Sequence, residues 1–169
     1  VVPSGNLGNL TAGLLAEASG LATAGFLAAH NANEFLPAHL AGRRAADDFP
    51  ATVATLSNAM DVGAPSNFER LRAWLGAGLA ERVAATSIDD AATLERMRIT
   101  AEADGVVVCP HTAVGLEALA RARAAGDAPS GAPAMVLATA HPAKFPDAVR
   151  RATGGAPRPG TWRGARSRG

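Results

Sequence analysis

The chain is 169 residues long with a mass of 17.0 kDa, the size of one ordinary domain. Apolar residues make up 48% and charged residues 18%, which excludes wholesale disorder. Lys and Arg total 16 against 15 Asp and Glu, a balance that suggests no basic face for nucleic acid, and one cysteine, Cys109, excludes a disulfide framework or a cysteine-rich zinc module.

No apolar run approaches the roughly 20 residues of a membrane span, and no charged segment precedes an apolar signal stretch. Val1-Val2-Pro3 reads as the end of a strand rather than the start of a protein, because Pro3 cannot donate to a ladder. Ser4-Gly5-Asn6-Leu7-Gly8-Asn9 follows as a loop. Leu10, Leu14, Leu15 and Ala18 then recur at helical spacing, with Gly20 placed to stop the helix. Residues 23–29 read as a short buried strand. Strand, glycine loop, helix, strand is the grammar of an α/β sheet.

Residues 31–50 admit more than one reading. Phe35, Leu36, His39 and Leu40 could share a helical face, and residues 43–49 look like a polar loop. Residues 54–62 are apolar but interrupted by Ser57, Asn58 and Asp61, which makes them a surface loop or a pocket wall. Ser66 with Glu69 forms a capping box ahead of the stripe Phe68, Leu71, Leu75 and Leu79. Ser87 with Asp90 marks another helix start, running to Gly105.

Residues 106–109 read as a buried strand and residues 112–125 as an alanine-rich helix ending at Gly126. Residues 134–138 read as a further strand, and Pro146-Asp147 opens a short last helix. From Gly154 onward Gly, Pro, Arg and Ser dominate. The expected organisation is one domain over residues 1–153 and a disordered tail over 154–169.

A glycine loop between a strand and a helix N-terminus is a phosphate cradle on physical grounds, since unpaired N–H groups and the helix dipole favour an anion. Gly5 and Gly8 allow close backbone approach, and Ser4, Asn6 and Asn9 add polar groups. No Gly-Lys-Ser/Thr follows and the third glycine is misplaced for a dinucleotide fingerprint. An ordinary turn capped by asparagine fits the same residues.

The four histidines, His30, His39, His111 and His141, show no i, i+4 pair or acidic partner at ligand spacing, so no metal site is expected. His39 reads as structural. His111 and His141 each follow an expected strand, where α/β ligands bind, though backbone hydrogen bonding suits them too. Thr139 also follows a strand, so its hydroxyl could meet a ring nitrogen or bond the local main chain. Lys144, the only lysine, invites a Schiff-base role but reads better as solvated. Cys109, ahead of Pro110, reads as a small buried hydrophobe.

The order of these segments is more specific than any one of them. The stretch from Val2 through Pro3-Ser4-Gly5-Asn6-Leu7-Gly8-Asn9 to Gly13 resembles the cofactor-phosphate loop of the threonine synthase family. Ser57-Asn58-Ala59-Met60-Asp61-Val62, Pro65-Ser66-Asn67-Phe68-Glu69-Arg70, Cys109-Pro110-His111-Thr112 and Thr139-Ala140-His141-Pro142-Ala143-Lys144-Phe145 follow in the family's order.

The resemblance implies an α/β fold: part of a fold type II pyridoxal-phosphate enzyme domain, mainly parallel sheet flanked by helices and incomplete at its N-terminus. It implies pyridoxal 5'-phosphate as cofactor and O-phosphohomoserine as substrate, converted with water to threonine and phosphate. The expected location is the cytoplasm. Main-chain contacts to the cofactor phosphate carry over to Gly5, Asn6, Leu7, Gly8 and Asn9, and the contact to the pyridine nitrogen to Thr139. Leu7 stands where the family usually has phenylalanine. The family's Schiff-base lysine belongs to an upstream Phe-Lys-Asp segment, a missing N-terminal half of the same protein, whereas Lys144 matches the Ala-Lys-Phe position. No catalytic residue is therefore expected within this chain. Another fold type II lyase or synthase, or a non-catalytic phosphate-binding module, remains the alternative.

Overall fold

In the computed structural model, which describes residues 1–128 and 131–155, three short strands set the frame. β1 (Val2–Pro3), β2 (Phe26–His30) and β3 (Val83–Ser87) form one parallel sheet in the order β1-β2-β3. Val2 aligns with Ala28, and Phe26 to His30 align in turn with Val83 to Ser87. Ser4 extends the first ladder, donating its N–H to the Ala29 carbonyl at 2.8 Å.

Successive strand side chains point to opposite faces, and that alternation sorts the core. Val2, Phe26, Ala28, Val83 and Ala85 enter one cluster with Leu7, Leu10, Phe35, Phe68 and Leu71. Val1, Leu27 and Ala29 enter another with Met60, Ile88, Val114 and Ala118. The first cluster takes its helical residues from α1 (Gly8–Ala18), α2 (Phe35–Leu40) and α3 (Asn67–Leu75), with Leu79 from the single turn α4 (Leu79–Arg82). On the other face, α5 (Asp90–Asp104), α6 (Pro110–Ala125) and α7 (Pro146–Thr153) pack together through Met97, Ala113, Ala148, Val149 and Ala152. Gly115 lets α6 lie close to the sheet edge: a Cβ there would stand 2.8 Å from Val136 Cγ1 and 3.2 Å from Pro3 Cγ.

Several expected elements differ from what forms. Residues 106–109 make no strand; they link the left-handed Gly105 cap (φ 67°) to Pro110, and Val107 and Val108 bury by packing rather than by pairing. Residues 134–138 are not a regular strand either. They run beside Val1, whose N-terminal amine donates to the Met135 carbonyl at 2.6 Å and whose carbonyl accepts from Leu137 N–H at 3.1 Å, the pattern of a parallel bridge. β3 lacked a clear signal, because Val83-Ala84-Ala85-Thr86-Ser87 carries one large apolar residue and owes its strand to pairing with β2. The cap of α5 is Asp89, accepting from Ala92 N–H at 2.8 Å, not Ser87. Ser66 makes no side-chain cap on α3, so the capping box is not formed. The tail expected over residues 154–169 lies largely outside the described residues.

Candidate functional site

Parallel sheets present ligands at the carboxyl ends of their strands, and a cavity of about 280 Å³ opens where β1 ends. Pro3, Ser4, Gly5, Asn6, Leu7, Gly8 and Asn9 line it on one side. Ala59, Met60, His111, Thr139 and Ala140 line the rest. All six residues singled out in the sequence, the five of the loop and Thr139, therefore border one cavity, although they stand at opposite ends of the chain.

The loop is shaped by two features. Leu7 takes a left-handed backbone (φ 61°, ψ 10°), the only described non-glycine residue with positive φ, and caps the start of α1. That conformation costs a leucine about 1–2 kcal/mol. Its side chain is 1% exposed inside the first core cluster, and burying a leucine returns about 1.5–3 kcal/mol. Gly5 sits backbone to backbone against the opposite wall, where a Cβ would meet Met60 Cα at 2.7 Å. The first hydrogen bond inside α1 runs from Thr11 N–H to the Leu7 carbonyl at 2.9 Å, leaving the preceding N–H groups of the helix without intrahelical partners. Those donors and the positive end of the helix dipole make the loop receptive to an anion.

The opposite wall is a single 3₁₀ turn, Asn58–Met60, suspended from two sides. Ala59 donates its N–H to His111 Nε2 at 3.1 Å. Ser57 and Asp61, which flank the turn, join a polar network at the carboxyl end of β2. Asn31 Nδ2 donates to Thr55 Oγ1 and to Asp61 Oδ1, each at 2.8 Å, and to Ser57 Oγ at 3.0 Å. Thr55 donates its N–H and hydroxyl to the same Asp61 carboxylate at 2.9 and 2.7 Å. Asn33 bonds Asn31 Oδ1 through its N–H at 2.9 Å and ties in Val53. A segment without periodicity is thus held rigid by satisfied side chains, and it serves as a pocket wall.

His111 is 1% exposed, and its Nδ1 has no hydrogen-bond partner among the described residues. Burial lowers its pKa, with the Asp61 charge acting in the opposite direction. His30, at the end of β2, is pushed down to about 4 by full desolvation. His39 stacks on Phe35 and donates from Nδ1 to the Arg44 carbonyl at 3.0 Å, a structural role as expected. His141 accepts from Ala143 N–H at 3.1 Å through Nδ1, the backbone role weighed for it. Lys144 closes the 3₁₀ turn Pro142–Lys144 and is not among the described residues lining the cavity. Cys109 is free and buried, as its setting before Pro110 suggested.

One connection had only a misleading signal in the sequence. Asn6 Oδ1 accepts both the N–H and the hydroxyl of Ser66, at 2.6 and 3.0 Å, and the Asn6 carbonyl accepts from Asn67 Nδ2 at 2.8 Å. Ser66, which read as a helix cap, instead joins Asn67 in tying α3 to the loop.

Fold and cavity together define an α/β unit that carries an anion-receptive strand–loop–helix at its sheet's carboxyl edge. A family model described as "Threonine synthase, C-terminal" matches residues 112–166. The threonine synthase of Serratia marcescens is 39% identical over 159 residues, covering 90% of this chain and 34% of that protein. That of Escherichia coli K12 is also 39% identical, over 155 residues, with the same two coverages of 90% and 34%. Among solved structures, the pyridoxal-phosphate-bound threonine synthase of Brucella melitensis superposes with a TM-score of 0.81 at 30% identity, covering 95% of this chain and 39% of that one. The Escherichia coli threonine synthase superposes at 0.82 with 38% identity, covering 93% and 35%. The chain is similar to threonine synthases over about nine-tenths of its length, and residues 112–166 match the model of their C-terminal part. It spans about a third of the length of the curated relatives it matches.

Proposed function

We propose that this chain supplies the cofactor-phosphate side of a pyridoxal-phosphate-dependent threonine synthase site, in a protein that converts O-phosphohomoserine and water to threonine and phosphate in the cytoplasm. The observation that carries the reading is the shared cavity: the loop from Gly5 to Asn9 and Thr139 border one space of about 280 Å³. That is close to the lower end, ~300 Å³, of ordinary ligand pockets. Its residue types suit the group: the helix-terminal loop at one part of the lining, a threonine at another.

In this reading the main chain of Gly5, Asn6, Leu7, Gly8 and Asn9 holds the phosphate, with the α1 dipole favouring its charge. The Thr139 hydroxyl meets the ring nitrogen. A neutral hydroxyl, unlike a carboxylate, does not force that nitrogen to carry a proton. The Ala59–Met60 wall, braced by His111 and the Asp61 network, keeps the loop's backbone in place. When bound, pyridoxal phosphate supplies an electron-accepting ring and a carbonyl for the substrate amine. No lysine of this chain lines the cavity, so the amine that anchors the carbonyl and moves substrate protons belongs to the portion of the relatives this chain does not span.

The test has two arms. Titrating the chain with pyridoxal 5'-phosphate, with inorganic phosphate as competitor, is expected to give saturable binding that phosphate displaces. Assayed with O-phosphohomoserine and added cofactor, the 169-residue chain alone is expected to form no threonine. Absence of any competition would remove the proposed site. Turnover by the chain alone, lost in Thr139→Ala, would refute the assignment of catalysis to residues outside it.

A further inference from the structure

The tie between α3 and the loop is built from groups whose roles are unambiguous. A backbone N–H can only donate, so the Asn6 atom that meets Ser66 N at 2.6 Å is its carbonyl oxygen. A guanidinium can only donate, so the Asn67 atom that meets Arg70 Nη1 at 3.1 Å is likewise its oxygen, which turns Asn67 Nδ2 toward the Asn6 carbonyl. Both carboxamides are therefore oriented without appeal to convention. Asn6 lines the cavity, and its side-chain and main-chain oxygens are each held by α3. The cost falls on the helix: Ser66 makes no side-chain cap, so one of the first amides of α3 goes without the partner a serine there would supply. A local rule broken where a loop borders a cavity marks a functional constraint.

We propose that Ser66 and Asn67 are positioning residues, which hold the loop through Asn6 in its anion-receiving form while Arg70 orients Asn67. The inference rests on the cofactor-phosphate reading of the loop, and adds that α3 sets its shape before any ligand arrives. Without the tie, the left-handed Leu7 has one anchor fewer against relaxation toward ordinary backbone.

Two readouts test it in the full chain. Hydrogen exchange at the Thr11 amide, which bonds the Leu7 carbonyl, reports loop opening without ligand. Titration with inorganic phosphate and with pyridoxal 5'-phosphate reports anion affinity. Ser66→Ala combined with Asn67→Ala removes both side-chain bonds of the tie and leaves the Ser66 N–H bond to Asn6; Thr11 exchange is expected to rise about tenfold and both affinities to fall about tenfold, with β2 amides still protected. Ser66→Thr keeps the hydroxyl and is expected to match the unmodified chain. Where the double variant loses β2 protection, Asn67→Ala alone, which removes a single donor, is expected to show the same two changes at smaller size. Unchanged exchange and affinity in the variants overturn the positioning role while leaving the phosphate site intact. Raised exchange in a chain that binds neither anion before mutation overturns the phosphate reading instead, and with it the role of the tie in anion binding.

Discussion

Ala59 donates its backbone N–H to Nε2 of His111 across 3.1 Å, joining the cavity's 3₁₀ wall to the first turn of α6. The donor is a main-chain amide, so Nε2 is bare and the ring carries its proton on Nδ1. His111→Phe keeps an aromatic body beside Phe145, 4.9 Å away, but leaves Ala59 N–H without its acceptor. The expected loss is about 1–3 kcal/mol of stability, read as a lower urea midpoint at pH 7.5. An unchanged midpoint would show that the bond does not hold the wall.

Acid should weaken the fold through His30. Its ring is fully buried at the end of β2, and its pKa falls from 6.5 to about 4 because burial disfavours the charged form. The folded value lies below the unfolded one, so the neutral ring's stabilisation is fully present above pH 6.5 and is lost as pH drops toward 4. Between pH 7.5 and pH 5 the loss is on the order of 2 kcal/mol. His111, also lowered by burial, acts in the same direction. Urea midpoints across that range should decline in the unmodified chain and decline less in His30→Gln. Parallel declines would assign the pH dependence elsewhere.

Where local chemistry decides the backbone, the structure was legible in the chain. The strand end at Pro3, the glycine loop and the start of α7 at Pro146 all depend on proline or glycine, which constrain their own dihedrals, whereas α6 starts at Pro110, two residues before the expected 112. Where pairing decides, it was not. Residues 106–109 are the most strand-like run present and form no ladder, whereas the weakly apolar 83–87 pairs along five residues with β2. The same holds for the site. The loop was singled out by its glycines and Thr139 by the family resemblance, and both line one cavity. The bracing of the opposite wall by Asn31, Thr55 and Asp61 depends on contacts between segments, for which spacing gives no signal. Ser66 shows the limit most directly: a correct helix start, and a side chain committed to Asn6 instead of the helix.

Gly5 and Gly8 should separate structure from binding. A Cβ on Gly5 would stand 2.7 Å from Met60 Cα, a backbone atom that cannot swing aside. Gly5→Ala is expected to cost about 1–3 kcal/mol by overpacking the cavity wall. A Cβ on Gly8 meets only Asn67 Nδ2, at an ordinary 3.7 Å. Gly8→Ala should therefore melt within a few degrees of the unmodified chain, yet bind phosphate less well because the backbone can no longer approach the anion closely. Equal phosphate affinity in Gly8→Ala and the unmodified chain would place the anion away from α1.

Thr139 offers the sharpest separation of the two ends of the proposed ligand. Thr139→Val replaces the hydroxyl with a methyl of similar size and leaves every loop N–H group in place. Inorganic phosphate, which reaches only the loop, should bind as before. Pyridoxal 5'-phosphate should bind roughly 2- to 10-fold more weakly, the worth of one neutral hydrogen bond. If both ligands weaken together, Thr139 acts by shaping the cavity rather than by meeting a ring nitrogen. If neither changes, the hydroxyl borders the cavity without touching what fills it.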